Sequence, residues 1–144
     1  MQEYITENEA ETIALGEKLA GLLKSGDILA VTGDLGSGKT ALVKGIARGL
    51  SIKDYITSPT FTLVHSYTGP AATLHHFDVY RLSGEDELFD IGFEEYLYGG
   101  DICVIEWADR IRSMLPPYAK WIHLERTQSG TDERKIIYKE AEAK

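Results

Sequence analysis

Gly33-Asp34-Leu35-Gly36-Ser37-Gly38-Lys39-Thr40 is the stretch that decides the fold. Its spacing is G-x-x-x-x-G-K-[ST], the pattern of a phosphate-binding loop. Glycines let the backbone wrap closely round a phosphate so that its N–H groups donate to the oxygens, and the N-terminus of the following helix adds positive field. In such a loop the lysine, here Lys39, contacts the β- and γ-phosphates, and the hydroxyl of Thr40 coordinates Mg²⁺. Four specified positions match by chance on the order of once per few hundred chains of this length. The context supports the match. Upstream, Asp27-Ile28-Leu29-Ala30-Val31-Thr32, bounded by Gly26 and Gly33, reads as a strand buried on both faces. Downstream, Leu42, Val43, Ile46, Ala47 and Leu50 recur at helical spacing. Strand, glycine-rich turn and helix follow in the order that a phosphate-binding loop requires.

Working outward, Ile13, Leu15, Leu19, Leu22 and Leu23 predict an amphipathic helix running up to Gly26, with Thr6 as its N-cap and Glu9 three residues on. Residues 60–82 are rich in Thr, Phe, Val, Tyr and His with near-alternating polarity, broken by Thr68-Gly69-Pro70, and predict two antiparallel strands joined by a turn. Residues 84–89 and 93–97 read as short helical pieces stopped by Gly99-Gly100. Ile102-Cys103-Val104-Ile105 reads as a second buried strand. Residues 121–124 and 135–138 look like two final strands, separated by the turn-rich 128–132 segment. Together these predict an α/β fold: a single P-loop domain over residues 1–144, with a mixed, mostly parallel sheet, flanking helices and antiparallel additions.

Composition narrows the function. At 144 residues and 43% hydrophobic content the chain suits one core. Fifteen Lys and Arg against 23 Asp and Glu leave a formal net charge of −8, which opposes direct capture of a polyanion such as tRNA or an anionic membrane. Any nucleic-acid role is therefore expected to pass through a partner protein. The lone Cys103 excludes an intramolecular disulfide and, lying in an apolar run, reads as a small buried hydrophobe. The N-terminus lacks a basic region followed by an apolar one, and no segment approaches the about 18 continuous apolar residues of a membrane helix. A cytoplasmic protein is expected. Adjacent His75 and His76 point to opposite faces of a strand, which argues against zinc.

A P-loop site needs an acid at the end of a neighbouring apolar strand to hold Mg²⁺, directly or through water, or to orient the attacking water. Glu106, closing the 102–105 run, has that context, and its role stays open among metal ligand, water-bridged ligand and general base. Asp78, within His75-His76-Phe77-Asp78-Val79-Tyr80-Arg81, is the competing acid. Ser58-Pro59-Thr60-Phe61-Thr62 lies where nucleotide switches place a segment that senses the γ-phosphate.

Taken together, the P-loop, Ser58-Pro59-Thr60-Phe61-Thr62-Leu63-Val64, His76-Phe77-Asp78-Val79-Tyr80-Arg81 and Val104-Ile105-Glu106-Trp107 resemble the bacterial TsaE family, in the same order and from about Thr6 to about Tyr138. That family is the ATPase component of the machinery that makes threonylcarbamoyladenosine in tRNA. The resemblance implies slow, Mg²⁺-dependent ATP hydrolysis, with ATP and ADP as ligands, and two paralogous partner proteins that carry and transfer the threonylcarbamoyl group. It implies that Gly33, Asp34, Gly36, Ser37, Gly38, Lys39, Thr40 and Ala41 cradle the nucleotide. Thr40, Asp78 and Glu106 surround the metal, with Lys39, Asp78 and Glu106 carrying the chemistry. Trp107 lies beside the nucleotide, and Glu9 and Arg134 are further nucleotide contacts. Ser37 stands where the family often has Ala.

Three rivals compete with this reading. A GTPase reads guanine with Asn-Lys-x-Asp, but the single asparagine, Asn8, precedes the P-loop, and no aspartate is followed three residues later by glycine. A small-molecule kinase needs an acceptor pocket and an arginine-bearing lid, for which 144 residues leave little room. A binding module that holds ATP without turnover shares every motif, because turnover depends on placing one water.

Overall fold

The computed structural model describes residues 1–128 and 132–140, and all seven of their strands belong to one sheet, in the order β1-β7-β6-β2-β5-β4-β3. The strands are β1 Gln2–Thr6, β2 Ile28–Thr32, β3 Val64–Thr68, β4 Thr73–Asp78, β5 Ile102–Glu106, β6 Lys120–Arg126 and β7 Arg134–Lys139. The four central strands β6, β2, β5 and β4 run parallel, and β1, β7 and β3 are added antiparallel at the two sides. This is the mixed sheet with antiparallel additions that the sequence predicts. The turn expected at 128–132 falls largely on residues outside those described.

Helices α1 Glu9–Ala20 and α2 Lys39–Gly49 cover one face, and short α3 Glu85–Asp90, α4 Phe93–Leu97 and a 3-10 helix at Ala108–Met114 cover the other. β2 is apolar throughout because both of its faces are covered. Leu29 and Val31 pack with Leu42 and Ile46 of α2, and Ile28 and Ala30 with Phe77, Phe93 and Ile105. Each fully buried aliphatic chain there contributes on the order of 1.5–3 kcal/mol, which pins the central strands and the loop that leaves β2.

Two glycines set how closely α1 approaches α2. A Cβ on Gly16 would lie 2.9 Å from the Gly45 Cα and the Ile46 nitrogen, and one on Gly45 would lie 2.9 Å from the Gly16 Cα. The helices therefore meet backbone to backbone, which brings the start of α1 to the end of the sheet from which the P-loop emerges.

The structure corrects the start and end of the first helix. Thr6 does not cap it; Thr6 closes β1, and its hydroxyl bonds the Thr12 hydroxyl at 2.8 Å. Asn8 is the cap, its Oδ1 accepting from the Glu11 N–H at 2.9 Å, while Glu11 accepts from the Glu7 N–H at 2.8 Å. The helix stops at Ala20, before Leu22, Leu23 and Gly26, and Leu22 is partly exposed. β1 and the 3-10 helix have no counterpart in the sequence reading. No helix among the described residues is long and apolar enough to cross a membrane.

Candidate nucleotide site

Four elements meet at the C-terminal edge of the parallel strands, where open α/β sheets place their ligands. β2 ends at Thr32 and hands the chain to the loop 33–38, in which Gly33, Gly36 and Gly38 take φ of 145°, 77° and 102°. An L-residue side chain resists this conformation, so the glycine pattern has a direct backbone cause. The Gly36 carbonyl accepts from Arg134 Nη2 at 3.0 Å and from Arg126 Nε at 3.4 Å, so β6 and β7 hold the loop from outside.

Lys39, at the first position of α2, folds back over the loop. Its Nζ donates to the Gly33 carbonyl at 2.6 Å, the Asp34 carbonyl at 2.9 Å and Ser37 Oγ at 3.4 Å, and it lies 4.2 Å from the centre of the Trp107 ring. Burial lowers its pKa from the ordinary lysine value, while Glu106, Asp78, Asp34 and Asp109 pull in the opposite direction. Three acceptors thus fill the three N–H donors of the buried ammonium.

The two acids stand side by side. Asp78 and Glu106 are register partners at the ends of parallel β4 and β5, so their side chains leave the same face. Both are buried, at 4% and 2% exposure, so neither is a strand-end carboxylate that simply faces water. Asp78 Oδ1 accepts from the Tyr80 N–H at 2.9 Å, and its Oδ2 from Ser58 Oγ at 2.9 Å and Thr60 Oγ1 at 3.2 Å. Thr40 Oγ1 donates to both Glu106 oxygens at 3.4 Å, and Glu106 Oε2 lies 2.6 Å from His76 Nε2. Trp107, next along, has φ 64° and ψ 32°, a left-handed conformation rare for a bulky residue, and this turns its indole over Lys39 and against Tyr80.

These groups open on one cavity of about 640 Å³. Gly36, Gly38, Lys39, Thr40, Ala41, Asp78, Glu106 and Trp107 line it, with Glu9 and Arg134 on the side of α1 and β7. Gly33 and Asp34 line a smaller adjoining hollow of about 290 Å³ and reach the main cavity through Lys39, while Ser37 is buried under the loop. The sequence reading missed Thr12, Lys44, Tyr80 and Arg81, which also line the cavity. Tyr80 and Arg81 stood within the quoted Asp78 motif, whereas Thr12 and Lys44 carried only helical-face signals.

The donor set fits a nucleotide phosphate with a hard divalent cation. Two carboxylates and a hydroxyl are oxygen donors of the kind Mg²⁺ takes, and the left-handed glycines and Lys39 supply the anion cradle. Among the described residues no group of three or more His, Cys, Asp or Glu is arranged to hold a metal by itself. Asp78, Glu106 and Thr40 are therefore suited to a cation that brings other oxygens with it, as one chelated by phosphates does.

The family model for threonylcarbamoyl adenosine biosynthesis protein TsaE matches residues 6–136. The tRNA threonylcarbamoyladenosine biosynthesis protein TsaE of Bacillus subtilis is 43% identical over 136 residues, which is 94% of this chain and 84% of that protein. The protein of the same name from Treponema pallidum is 43% identical over 129 residues, 90% of this chain and 95% of that one. Among solved structures, Bacillus subtilis YdiB superposes with a TM-score of 0.81 at 36% identity, over 98% of this chain and 86% of that chain.

Proposed function

This chain belongs to the TsaE family of threonylcarbamoyl adenosine biosynthesis proteins, and from that membership and the site we propose that it is the Mg²⁺-dependent ATPase of the tRNA-modifying machinery. The observation that carries the proposal is the convergence of Lys39, Thr40, Asp78 and Glu106 on one cavity, each beside a glycine-rich loop whose backbone is shaped for phosphate.

In this reading the N–H groups of residues 33–41 and the field of α2 bind the β-phosphate, and Lys39 exchanges its loop carbonyls for phosphate oxygens. Thr40, Asp78 and Glu106 would hold the cation, which when bound spreads the charge developing on the phosphates. Glu106, buried at the end of β5 and lining the cavity, would be placed to align a water for attack. Trp107 closes one side of the cavity, and Glu9 and Arg134, which also line it, would contact the nucleotide. The sequence carries no Asn-Lys-x-Asp to read guanine, so ATP is the expected nucleotide.

The chain acts in the cytoplasm as a subunit, with two paralogous threonylcarbamoyl-transfer proteins as its partners, and meets tRNA only through them. Its net charge of −8 supports the indirect route. Phe61 and Phe89, both more than four-fifths exposed, and Tyr98 mark the surface on which the partners would dock, near the Ser58-to-Val64 segment and the Phe89-to-Tyr98 region.

The test is phosphate release from ATP and from GTP, with and without the partner proteins, alongside calorimetric titration of both nucleotides. Mg²⁺-dependent ATP turnover that the partners accelerate is expected. Binding of GTP at least about tenfold tighter than ATP, a preference of about 1.4 kcal/mol, would overturn the proposal. So would phosphoryl transfer to a small-molecule acceptor in place of water.

A further inference from the structure

Behind Glu106, on the side away from the cavity, lies a histidine that phosphate binding does not use. His76 is fully buried, and its Nε2 lies 2.6 Å from Glu106 Oε2. It sits two residues before Asp78 on β4 and so shares that residue's face, opposite Val104 of β5, in the layer packed under α2.

The other ring nitrogen fixes the direction of this bond. Nδ1 is buried and has no hydrogen-bond partner among the described residues. A hydrogen on Nδ1 would be a buried donor with nothing to donate to, whereas an unprotonated Nδ1 is merely an acceptor left unused, the cheaper of the two. The geometry therefore places the ring hydrogen on Nε2, donating to the Glu106 carboxylate.

We propose that His76 is a positioning residue for Glu106. By occupying one lone pair of Oε2 from below, it fixes the rotation of the carboxylate so that its remaining lone pairs face Thr40 and the cavity. Thr40 Oγ1 is 3.4 Å from each Glu106 oxygen, too long to hold that orientation alone. Buried ligand carboxylates are commonly oriented by partners of this kind, and loosening one by a fraction of an ångström costs rate more than binding. This inference rests on the reading of the cavity as an ATPase site, in which Glu106 acts on cation or water.

His76→Gln and His76→Asn make the decisive pair. Both keep a buried polar side chain, but only glutamine carries its amide nitrogen far enough to replace Nε2. With ATP, His76→Asn is expected to lose about tenfold or more in kcat with KM changed by less than about threefold, and His76→Gln to recover most of that loss. Calorimetry should give both variants wild-type affinity for ADP without Mg²⁺ and, for His76→Asn alone, a weaker Mg²⁺ enhancement. Long-range proton–nitrogen correlation NMR of the wild type should place the ring hydrogen on Nε2.

If Glu106→Ala abolishes turnover while His76→Asn turns over like the wild type, the positioning role is wrong and the ATPase reading stands. If the wild type turns over no faster than Glu106→Ala, the ATPase reading fails and takes the inference with it. A ring hydrogen found on Nδ1 overturns the inference whatever the kinetics show.

Discussion

Ser58 Oγ donates to Asp78 Oδ2 at 2.9 Å across twenty residues of sequence, tying the loop that precedes β3 to an acid of the nucleotide site. Thr60 Oγ1 reaches the same oxygen at 3.2 Å, and Ser58 and Thr60 bond each other at 2.8 Å. Between them and β3 stands Phe61, exposed but for Arg81, which lies 4.8 Å from its ring centre. If Asp78 turns to a cation, as proposed, it gives up these hydroxyls, and nucleotide binding would then act on the segment that carries Phe61.

Chymotryptic cleavage at Phe61 should therefore differ at least about fivefold between the nucleotide-free and Mg²⁺-ATP forms, the low end of a normal coupling between two sites. The double change Ser58→Ala and Thr60→Val should shrink that difference. Equal cleavage rates in the wild type under both conditions would show that the loop does not respond to the site.

Lys39→Ala should weaken ATP binding by roughly 10- to 150-fold, the worth of a charge-assisted hydrogen bond of about 1.5 to 3 kcal/mol. Because Lys39 Nζ lies 4.2 Å from the Trp107 ring centre, drawing the ammonium to phosphate should also change indole emission. Trp107→Phe should remove the nucleotide-dependent signal. A signal that survives in that variant belongs to Trp121.

Gly45→Ala should destabilise the fold by about 1 to 3 kcal/mol, since the added methyl meets the α1 backbone, which cannot step aside as a side chain would. Urea unfolding measures this directly. Stability within about 0.5 kcal/mol of wild type, the range of a neutral surface substitution, would mean that α1 can move away from α2.

Burial, with a smaller effect from Asp101, pushes the Cys103 thiol up to about 12 from its ordinary value of 9.0. The folded-state value is the raised one. The stability that the neutral thiol contributes is thus present below the unfolded pKa and lost as pH rises from 9.0 towards about 12. Thiol reagents at about pH 8 should label the native protein at least about a hundredfold more slowly than the unfolded chain, as expected of a thiolate-dependent reaction at a buried sulfur. Rapid native labelling would place Cys103 at an accessible surface instead.

The central fold was legible because its signals are local. β2 is apolar on both faces, and the loop after it needs glycine where φ is positive, so strand, loop and α2 each left a mark in the sequence. Asp78 and Glu106 were legible as acids at strand ends, but their being neighbours required the β4–β5 register, which no local pattern encodes. β1 was illegible for a different reason. It lies at the edge of the sheet with only Thr6 buried, held by backbone pairing to β7, so its side chains carry no alternation. Thr6 reads as the cap of α1, but pairing with β7 draws it into the sheet and leaves Asn8 to cap the helix. His76 looked like half of an unremarkable His-His pair until the fold set Glu106 beside it.

The most direct test of the site is steady-state phosphate release by the wild type, Asp78→Ala and Glu106→Ala, assayed with the partner proteins present and paired with ATP affinities from calorimetry. Each variant is expected to lose about tenfold or more in kcat, a larger loss than any in ATP affinity, because the two acids would act on cation and water while the loop and Lys39 hold the phosphates. Wild-type turnover in both variants would contradict it.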